Sequence, residues 1–288
     1  MTLQQAKEAV LQAISNLYDQ REAGNIASMV IEKISGKSKM DQFLNKEEVL
    51  NNDATMQLND CMRALSVGTP VQYVLGEAWF MGMVFRVNKD TLIPRPETEE
   101  LVEWIINDLK DAPQKKYKVL DIGSGSGCIP ISLKKLAPQL TVQSVDISEG
   151  AIKTANENAI IADSSVEFIE LDFLNENNWN QFGTIDIIVS NPPYIRESEQ
   201  VSMAVNVVNF EPASALFVPD NDPLLFYRKI LHFSEKHLPA GGRIYLEINE
   251  ALGNETVNLF NTAAAAFETI LKKDMQGKDR MIRATKKG

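Results

Sequence analysis

The 288-residue chain has only two cysteines, two histidines and three tryptophans. Cys61 and Cys128 are too few for a disulfide framework or a zinc set. His232 and His237 stand five apart on a predicted helix, off the spacing at which side chains share a face, so no metal site is expected. Basic residues are also scarce: 29 Lys and Arg against 39 Asp and Glu give a formal charge of −10. A protein that grips phosphate backbones usually carries a basic face, and the acid excess argues against a nucleic-acid partner. No segment approaches the roughly 20 apolar residues of a membrane span. The N-terminus has no signal-peptide pattern, so a soluble cytoplasmic protein without a membrane partner is expected. Internal repeats and low-complexity stretches are lacking too. What remains is an ordinary globular composition, 44% apolar, enough for a sizeable core in one or two domains.

The most informative stretch is Ile185-Asp-Ile-Ile-Val-Ser-Asn-Pro-Pro-Tyr194, an apolar strand running into Asn191, Pro192, Pro193 and Tyr194. Two prolines fix φ and supply no N–H. Pro192 also drives Asn191 out of the α region. The result is a stiff corner at a strand's C-terminal end, the edge where open parallel sheets bind ligands. One carboxamide oxygen and one fixed backbone carbonyl, those of Asn191 and Pro192, can accept both hydrogens of a planar –NH2 group. A plain strand-ending turn is the alternative for such a pair of prolines.

A second motif is Lys118-Val-Leu-Asp-Ile-Gly-Ser-Gly-Ser-Gly127, a short strand opening into a glycine turn before a helix-like stretch. Gly123, Gly125 and Gly127 permit positive φ and close ligand approach, with Ser124 and Ser126 between them. A dinucleotide fingerprint would place its third glycine at 128, where Cys128 stands. The G-x-G-x-G form suits a ligand without a pyrophosphate, such as S-adenosylmethionine. The next strand, Thr141–Asp146, ends in an acid 19 residues after Gly127. That is near the roughly 20-residue interval of a ribose-binding acid. A helix-capping role for Asp146 fits equally well in isolation.

These motifs resemble the HemK/PrmC protein-(glutamine-N5) methyltransferases, which modify translation release factors. The resemblance spans most of the chain. It rests on Pro70-Val-Gln-Tyr-Val-Leu-Gly76, Leu92-Ile-Pro-Arg-Pro-Glu-Thr-Glu99, the glycine turn and Ser190-Asn-Pro-Pro-Tyr-Ile195. Phe210-Glu-Pro212 and Asp274-Met-Gln-Gly-Lys-Asp-Arg280 extend it. It implies a class I methyltransferase domain, Rossmann-like, with a mostly parallel seven-stranded sheet closed by an antiparallel C-terminal hairpin. It implies S-adenosyl-L-methionine as methyl donor and the Gly-Gly-Gln glutamine of class I peptide chain release factors as acceptor. The expected substrate contacts are Asn191, Pro192, Pro193 and Tyr194. Catalytic roles are expected for Asn191, Pro192 and Tyr194. Asn191 should also face the cofactor, with Gly123 to Gly127, Asp146, Asp172 and Phe173. Asp172 would accept from the adenine amino group and Phe173 would stack on or contact the base; the alternative is an acidic cap with a core aromatic. Tyr194 is either an aromatic face near substrate or a core tyrosine below the corner.

The expected organisation has three parts. Residues 1–69 read as a helical bundle that recognises the substrate, with Leu3, Ala6, Val10, Ile14, Leu17 and Tyr18 recurring at helical spacing. Phe43, Val49, Leu50, Met56, Leu58, Met62 and Leu65 continue the stripe, either as bundle interior or as a partner platform. Residues 70–95 read as a β-hairpin linker. Residues 96–288 form the methyltransferase domain, with strands near 117–122, 141–146, 166–170, 185–190 and 242–249 and a hairpin turning at 276–279. The segment 195–222 is too irregular for a plain connection and suggests a binding loop in which Glu211 fixes the path.

Three rivals share these features: a methyltransferase for a ribosomal-protein glutamine, an N6-adenine nucleic-acid methyltransferase, and a non-catalytic nucleotide-binding scaffold. The glycine spacing generates a first test. Calorimetry should detect binding of S-adenosylmethionine and S-adenosylhomocysteine and no heat with NAD; the reverse pattern would overturn the cofactor expectation.

Overall fold

A computed structural model of the chain describes residues 1–110, 112, 114–264 and 266–288. The backbone divides into two compact units, residues 1–77 with 204–210, and residues 78–203 with 211–288.

The first unit is helical. Its principal helices are Leu3–Ile14, Gln20–Ser35 and Asn52–Ser66, with the shorter Lys39–Leu44 and Val71–Leu75. Each longer helix begins where the sequence supplies a cap. Thr2 and Gln5 form a reciprocal capping box, while Asp19 and Asn51 accept from the N–H three residues on. Such caps contribute about 1 kcal/mol each. Gly36, at φ 69°, ends Gln20–Ser35 in the left-handed conformation. Leu3, Ala6, Val10 and Ile14 pack with Ile26, Val30, Ile31, Leu58 and Leu65.

The apolar stripe read from the sequence is only partly interior. Leu17, Phe43, Val49 and Met56 are exposed. Leu17 lies beyond the end of its helix and leaves the helical register. Met56 sits two residues from buried Leu58, about 200° around the helix. Beside Phe43, Gln42 takes the inward position and donates from Nε2 to the carbonyls of Ser28 and Lys37, both at 3.0 Å.

Strands Glu77–Phe80 and Met83–Arg86 pair across a two-residue turn. Met81 and Gly82 both have positive φ, 50° and 72°, as a tight hairpin turn requires.

The second unit holds a seven-stranded sheet. From edge to edge the order is Phe267–Lys273, Asp279–Lys286, Arg243–Glu247, Ile187–Ser190, Lys118–Ile122, Thr141–Asp146 and Glu167–Glu170. The last five are mutually parallel, and the C-terminal pair is antiparallel. The central strands are apolar along their length because both faces are covered. Val119, Ile187, Val189 and Tyr245 pack on the side of helices Pro96–Leu109 and Cys128–Leu136. Leu120, Ile188, Ile244 and Leu246 face Leu225–His237 and Gly253–Asn261. This is a doubly wound α/β unit.

Winding reverses at Lys118–Ile122. The next two strands extend the sheet on one side of it, and Ile187–Ser190 adds on the other. Such a reversal opens a crevice at the strands' C-terminal ends. The segment 195–222 is built from short pieces: Ile195–Arg196 pairs with Phe217–Val218, and short helical turns fill the interval.

The glycine turn generates a stability prediction. A Cβ at Gly127 would lie 2.9 Å from Ile131 Cδ1 and 3.1 Å from Ala155 Cβ, on a backbone at φ 80°. Gly127→Ala should therefore destabilise the fold by roughly 2–4 kcal/mol, combining left-handed strain with overpacking. Urea unfolding reads this as a lower midpoint at unchanged slope; an unmoved midpoint would show that the turn can relax.

Candidate active site

The crevice is lined by Gly123 to Ser126, Asp146 to Ser148, Leu171 to Leu174, Asn191 and Pro193, with Leu92, Pro94, Arg95 and Thr98 on another wall. Its floor is the glycine turn. Gly123 N and Ser124 N donate to Val145 O at 2.8 and 3.0 Å, binding the turn to the neighbouring strand. Gly123 and Gly125 have φ of 90° and 50°, and a Cβ built at Gly125 would meet no atom within 4 Å. The turn therefore presents bare backbone to an open cradle.

Asp146 braces that cradle. Its Oδ2 accepts from Gly125 N and its Oδ1 from Ser148 N, both at 2.9 Å. Desolvation raises its pKa while the N–H donors oppose the rise. Each carboxylate oxygen keeps a further lone pair, so bracing the turn and accepting from a ligand hydroxyl are compatible. Ser124 and Ser126 are buried. The Ser124 hydroxyl pairs with Ser144 at 2.6 Å, and Ser144 donates to Asp121 Oδ2.

Asp172 borders the crevice, and its Oδ1 accepts from Leu174 N at 2.9 Å. Phe173 also borders it, but its ring is buried against Trp179 and Phe233 at centroid distances of 5.5 and 5.4 Å. It is an apolar wall and not a free stacking platform.

The Asn-Pro-Pro-Tyr corner rises beside the turn because Ser190 is opposite Ile122 in the parallel register. Ser190 Oγ donates to Ile122 O at 2.6 Å across that junction. Asn191 and Pro193 line the crevice, whereas Pro192 is buried. Tyr194 points away from it: the ring packs on the core and Oη donates to Glu247 Oε1 at 2.9 Å. Burial and the Glu247 carboxylate hold the Tyr194 phenol well above its ordinary pKa, so it stays protonated.

Two features escaped the sequence reading. Thr98, inside Arg-Pro-Glu-Thr-Glu, accepts from Asn191 Nδ2 at 3.1 Å and donates to Glu247 Oε2 at 2.7 Å. Glu247 ends a central strand and is 1% exposed. Burial raises its pKa, opposed by the Thr98 and Tyr194 hydroxyls and the Arg280 charge. An acid closing the apolar run Arg243-Ile-Tyr-Leu-Glu247 was the available signal. Glu211, expected from the sequence to fix the loop's path, is buried, accepts from Ile93 N at 3.2 Å and pairs with Arg95, clamping the segment that carries Thr98 to the loop.

Other sequence candidates are structural. Cys128 borders the crevice, and burial pushes its thiol up to about 12, which keeps it protonated. His237 stacks on Phe233 with centroids 4.2 Å apart, and His232 lies beside Glu176. Among the described residues no group of three His, Cys, Asp or Glu could hold a metal ion, and no helix is long and apolar enough to cross a membrane.

Comparison with known proteins matches two separate stretches of the chain. Residues 8–76 match the PrmC N-terminal domain, and residues 101–222 match the methyltransferase small domain. The chain is 43% identical over 284 residues to a release factor glutamine methyltransferase of Flavobacterium psychrophilum, covering 98% of this chain and 99% of that one. A release factor glutamine methyltransferase of Bacteroides thetaiotaomicron is 38% identical over 277 residues, covering 96% and 98%. Among solved structures, the hMettl16 catalytic domain superposes with a TM-score of 0.53 at 14% identity, covering 84% of this chain and 85% of that one. That likeness concerns the fold alone.

Asp121 generates a pH prediction. Its burial under the turn pushes the carboxyl from 3.8 to about 8, with Ser144 opposing and Asp146 adding to the rise. A carboxyl whose folded pKa is raised contributes stability that is full below its unfolded value and is lost as pH climbs through the folded one. The window therefore runs from 3.8 to about 8. Asp121→Asn should flatten the decline in melting temperature across that window. Superimposable melting profiles for wild type and variant would remove Asp121 as the source.

Proposed function

The chain belongs to the release factor glutamine methyltransferases, and we propose that it transfers methyl from S-adenosylmethionine to the side-chain amide nitrogen of the Gly-Gly-Gln glutamine in peptide chain release factors. The observation that carries this reading is the Asn-Pro-Pro-Tyr corner standing beside the glycine cradle at the sheet's reversal point. With release factors as substrates, the compartment is the cytoplasm. On this reading residues 1–69, the greater part of the helical unit, recognise the protein substrate, residues 70–95 form the link, and residues 96–288 carry the chemistry.

The cradle fits the cofactor. The space above Gly125 admits a chain of atoms against bare backbone. Asp146 offers remaining lone pairs to ribose hydroxyls, and Asp172 offers an acceptor to an adenine amino group beside the apolar wall of Phe173. Bound there, the cofactor supplies a methyl already activated by a positive sulfur.

An amide nitrogen is a poor nucleophile because its lone pair is delocalised into the carbonyl. Orientation is therefore the protein's main contribution. Asn191 Oδ1 and the Pro192 carbonyl accept the two N–H bonds of the glutamine amide, which turns the face of its nitrogen toward the cradle. Tyr194 supports the corner from below through its bond to Glu247. Holding reactants in this way can supply roughly 7–11 kcal/mol of the barrier reduction. No strong base is needed before transfer, since the nitrogen loses a proton readily once methylated.

The test offers an intact release factor, a Gly-Gly-Gln peptide, a ribosomal protein and DNA in parallel, with mass spectrometry locating any methyl. Methyl should appear on the Gly-Gly-Gln glutamine and far more efficiently on the intact factor. Asn191→Ala should lower kcat by roughly a hundredfold or more, as loss of an orienting group does, with cofactor affinity less affected. Methyl on another protein's glutamine, on adenine or nowhere would select one of the rivals, and near-normal kcat in Asn191→Ala would refute the orienting role.

A further inference from the structure

The two hydrogen bonds beneath Asn191 have a direction as well as a length. Glu247, when ionised, can only accept. Both of its oxygens are engaged, Oε2 by Thr98 Oγ1 at 2.7 Å and Oε1 by Tyr194 Oη at 2.9 Å. Thr98 has a single hydroxyl proton, and it is committed to Glu247. Toward Asn191 the same oxygen can therefore show only a lone pair. An Asn side chain facing that lone pair must present its –NH2 group, as the 3.1 Å contact from Nδ2 has it. The acceptor end, Oδ1, is left for another partner.

We propose that Thr98 and Glu247 are positioning residues which fix the facing of the Asn191 carboxamide, so that it offers an acceptor and not a donor to the substrate amide. This rests on the role given to Asn191 above. Thr98 and Glu247 are 2% and 1% exposed, so water does not compete for the bond between them. The two faces of a carboxamide are nearly isosteric, and shape alone cannot choose between them. A flipped Asn191 would set an –NH2 group against the –NH2 group of the glutamine, and the interaction that aims the nucleophile would become repulsive. The selection is made by charge: a carboxylate forces its neighbour hydroxyl to donate inward, which forces that hydroxyl to accept outward.

Glu247→Gln keeps the shape and reverses this logic. Its amide can accept from only one of its two neighbours and must donate to the other. When it donates to Thr98, the threonine proton is released toward Asn191 and draws Oδ1 round to meet it. Thr98→Val deletes the relay at constant shape, and Thr98→Ser restores the hydroxyl. Protonation of Glu247 acts as Glu247→Gln does. The ionisable groups that bear on Glu247 are Tyr194, Arg280 and Glu97, with Tyr227 donating to its backbone carbonyl at 3.3 Å. Since burial raises the Glu247 pKa, kcat should fall on the acid side at a higher pH than an ordinary carboxylate would produce.

Two measurements on the full-length protein test this. The first is single-turnover methylation of an intact release factor. Glu247→Gln and Thr98→Val should each lose rate by roughly a hundredfold, the scale of a misplaced orienting group, with cofactor Kd and melting temperature held. Thr98→Ser should recover most of the rate that Thr98→Val loses, and the acid limb of the pH profile should vanish in Glu247→Gln. The second measurement needs no acceptor: proton–nitrogen correlation spectra follow the Asn191 side-chain amide, which should exchange slowly in wild type and shift and exchange faster in both variants. Rates within twofold of wild type with unmoved amide resonances would overturn the proposal. So would a rate loss that tracks lost cofactor affinity or lost melting temperature, since that marks a purely structural role. If wild type fails to methylate the release factor while the amide resonances shift as stated, the substrate reading fails and the relay stands.

Discussion

The parallel pairing of Lys118–Ile122 with Ile187–Ser190 is the constraint on which the site depends. Both strands are buried on both faces, so a slip of one residue would turn each apolar side chain to the wrong layer. Register is thereby fixed by packing far from the crevice, with Ile122 opposite Ser190. Gly123 and Asn191 then leave the sheet side by side, although they are distant in the chain. The glycine at 123 is required by its φ of 90° and not by space, because a Cβ there would come no nearer than 3.9 Å to Asn191 O. The next strand over, Arg243–Glu247, continues the same edge and delivers Glu247 beneath the corner.

Burying Glu247 is costly, since a carboxylate loses its hydration and regains it only through matched donors. The hydroxyls of Thr98 and Tyr194 are those donors, and Arg280 adds attraction. Replacing a whole buried polar cluster of this kind with apolar residues is often neutral or stabilising in other folds, whereas removing the carboxylate alone would strand both hydroxyls. Its presence at the end of a core strand, touching two elements of the crevice wall, therefore points to orientation and not to stability as its contribution. Tyr194 takes a different part from the one its place in the motif suggests. Its ring packs against the core, and its hydroxyl completes the carboxylate's shell.

How legible each feature was in the sequence depends on how local its cause is. The parallel strands could be located to within about two residues because Lys118–Ile122 and Ile187–Ser190 are mostly apolar and run into glycine or proline motifs, and the remaining strands recur between helix-like stretches. Thr141–Asp146 and the start of Phe267–Lys273 fell where expected. The helical stripe was less legible, since Leu17 and Met56 lie in or out of register only once the helix ends are known. Glu247 could not be linked to its task, because its partners are at 98 and 194 and the sequence near 247 holds no trace of them. Thr98 was overshadowed by Glu97 and Glu99, whose charge suits a first helical turn. The two alternatives weighed for Phe173 differ by the position of one ring, which depends on Trp179 and Phe233 arriving from elsewhere.

The acid excess of the chain acquires a physical meaning at this site. Asp146 holds Gly125, Glu211 holds Ile93 and Arg95, Glu247 holds Thr98 and Tyr194, and Asp274 receives the N–H groups of Gln276 and Lys278 in the closing hairpin. In each case a carboxylate acts as a fixed acceptor for groups of the surrounding framework. None stands free at the corner as a base would need to. That agrees with a reaction in which the nucleophile is a neutral amide and the donor carries the positive charge. A base strong enough to ionise an amide would have little to gain at such a site, whereas acceptors aimed with the right polarity act on the step that limits an amide, the facing of its nitrogen. A net negative surround also favours a cationic ligand over its neutral product, which differs by the methyl lost. Asp90, Asp146 and Asp172, which line the crevice with Arg95 as the one cation among the described lining residues, would thus bias it toward the reactive form of the proposed cofactor.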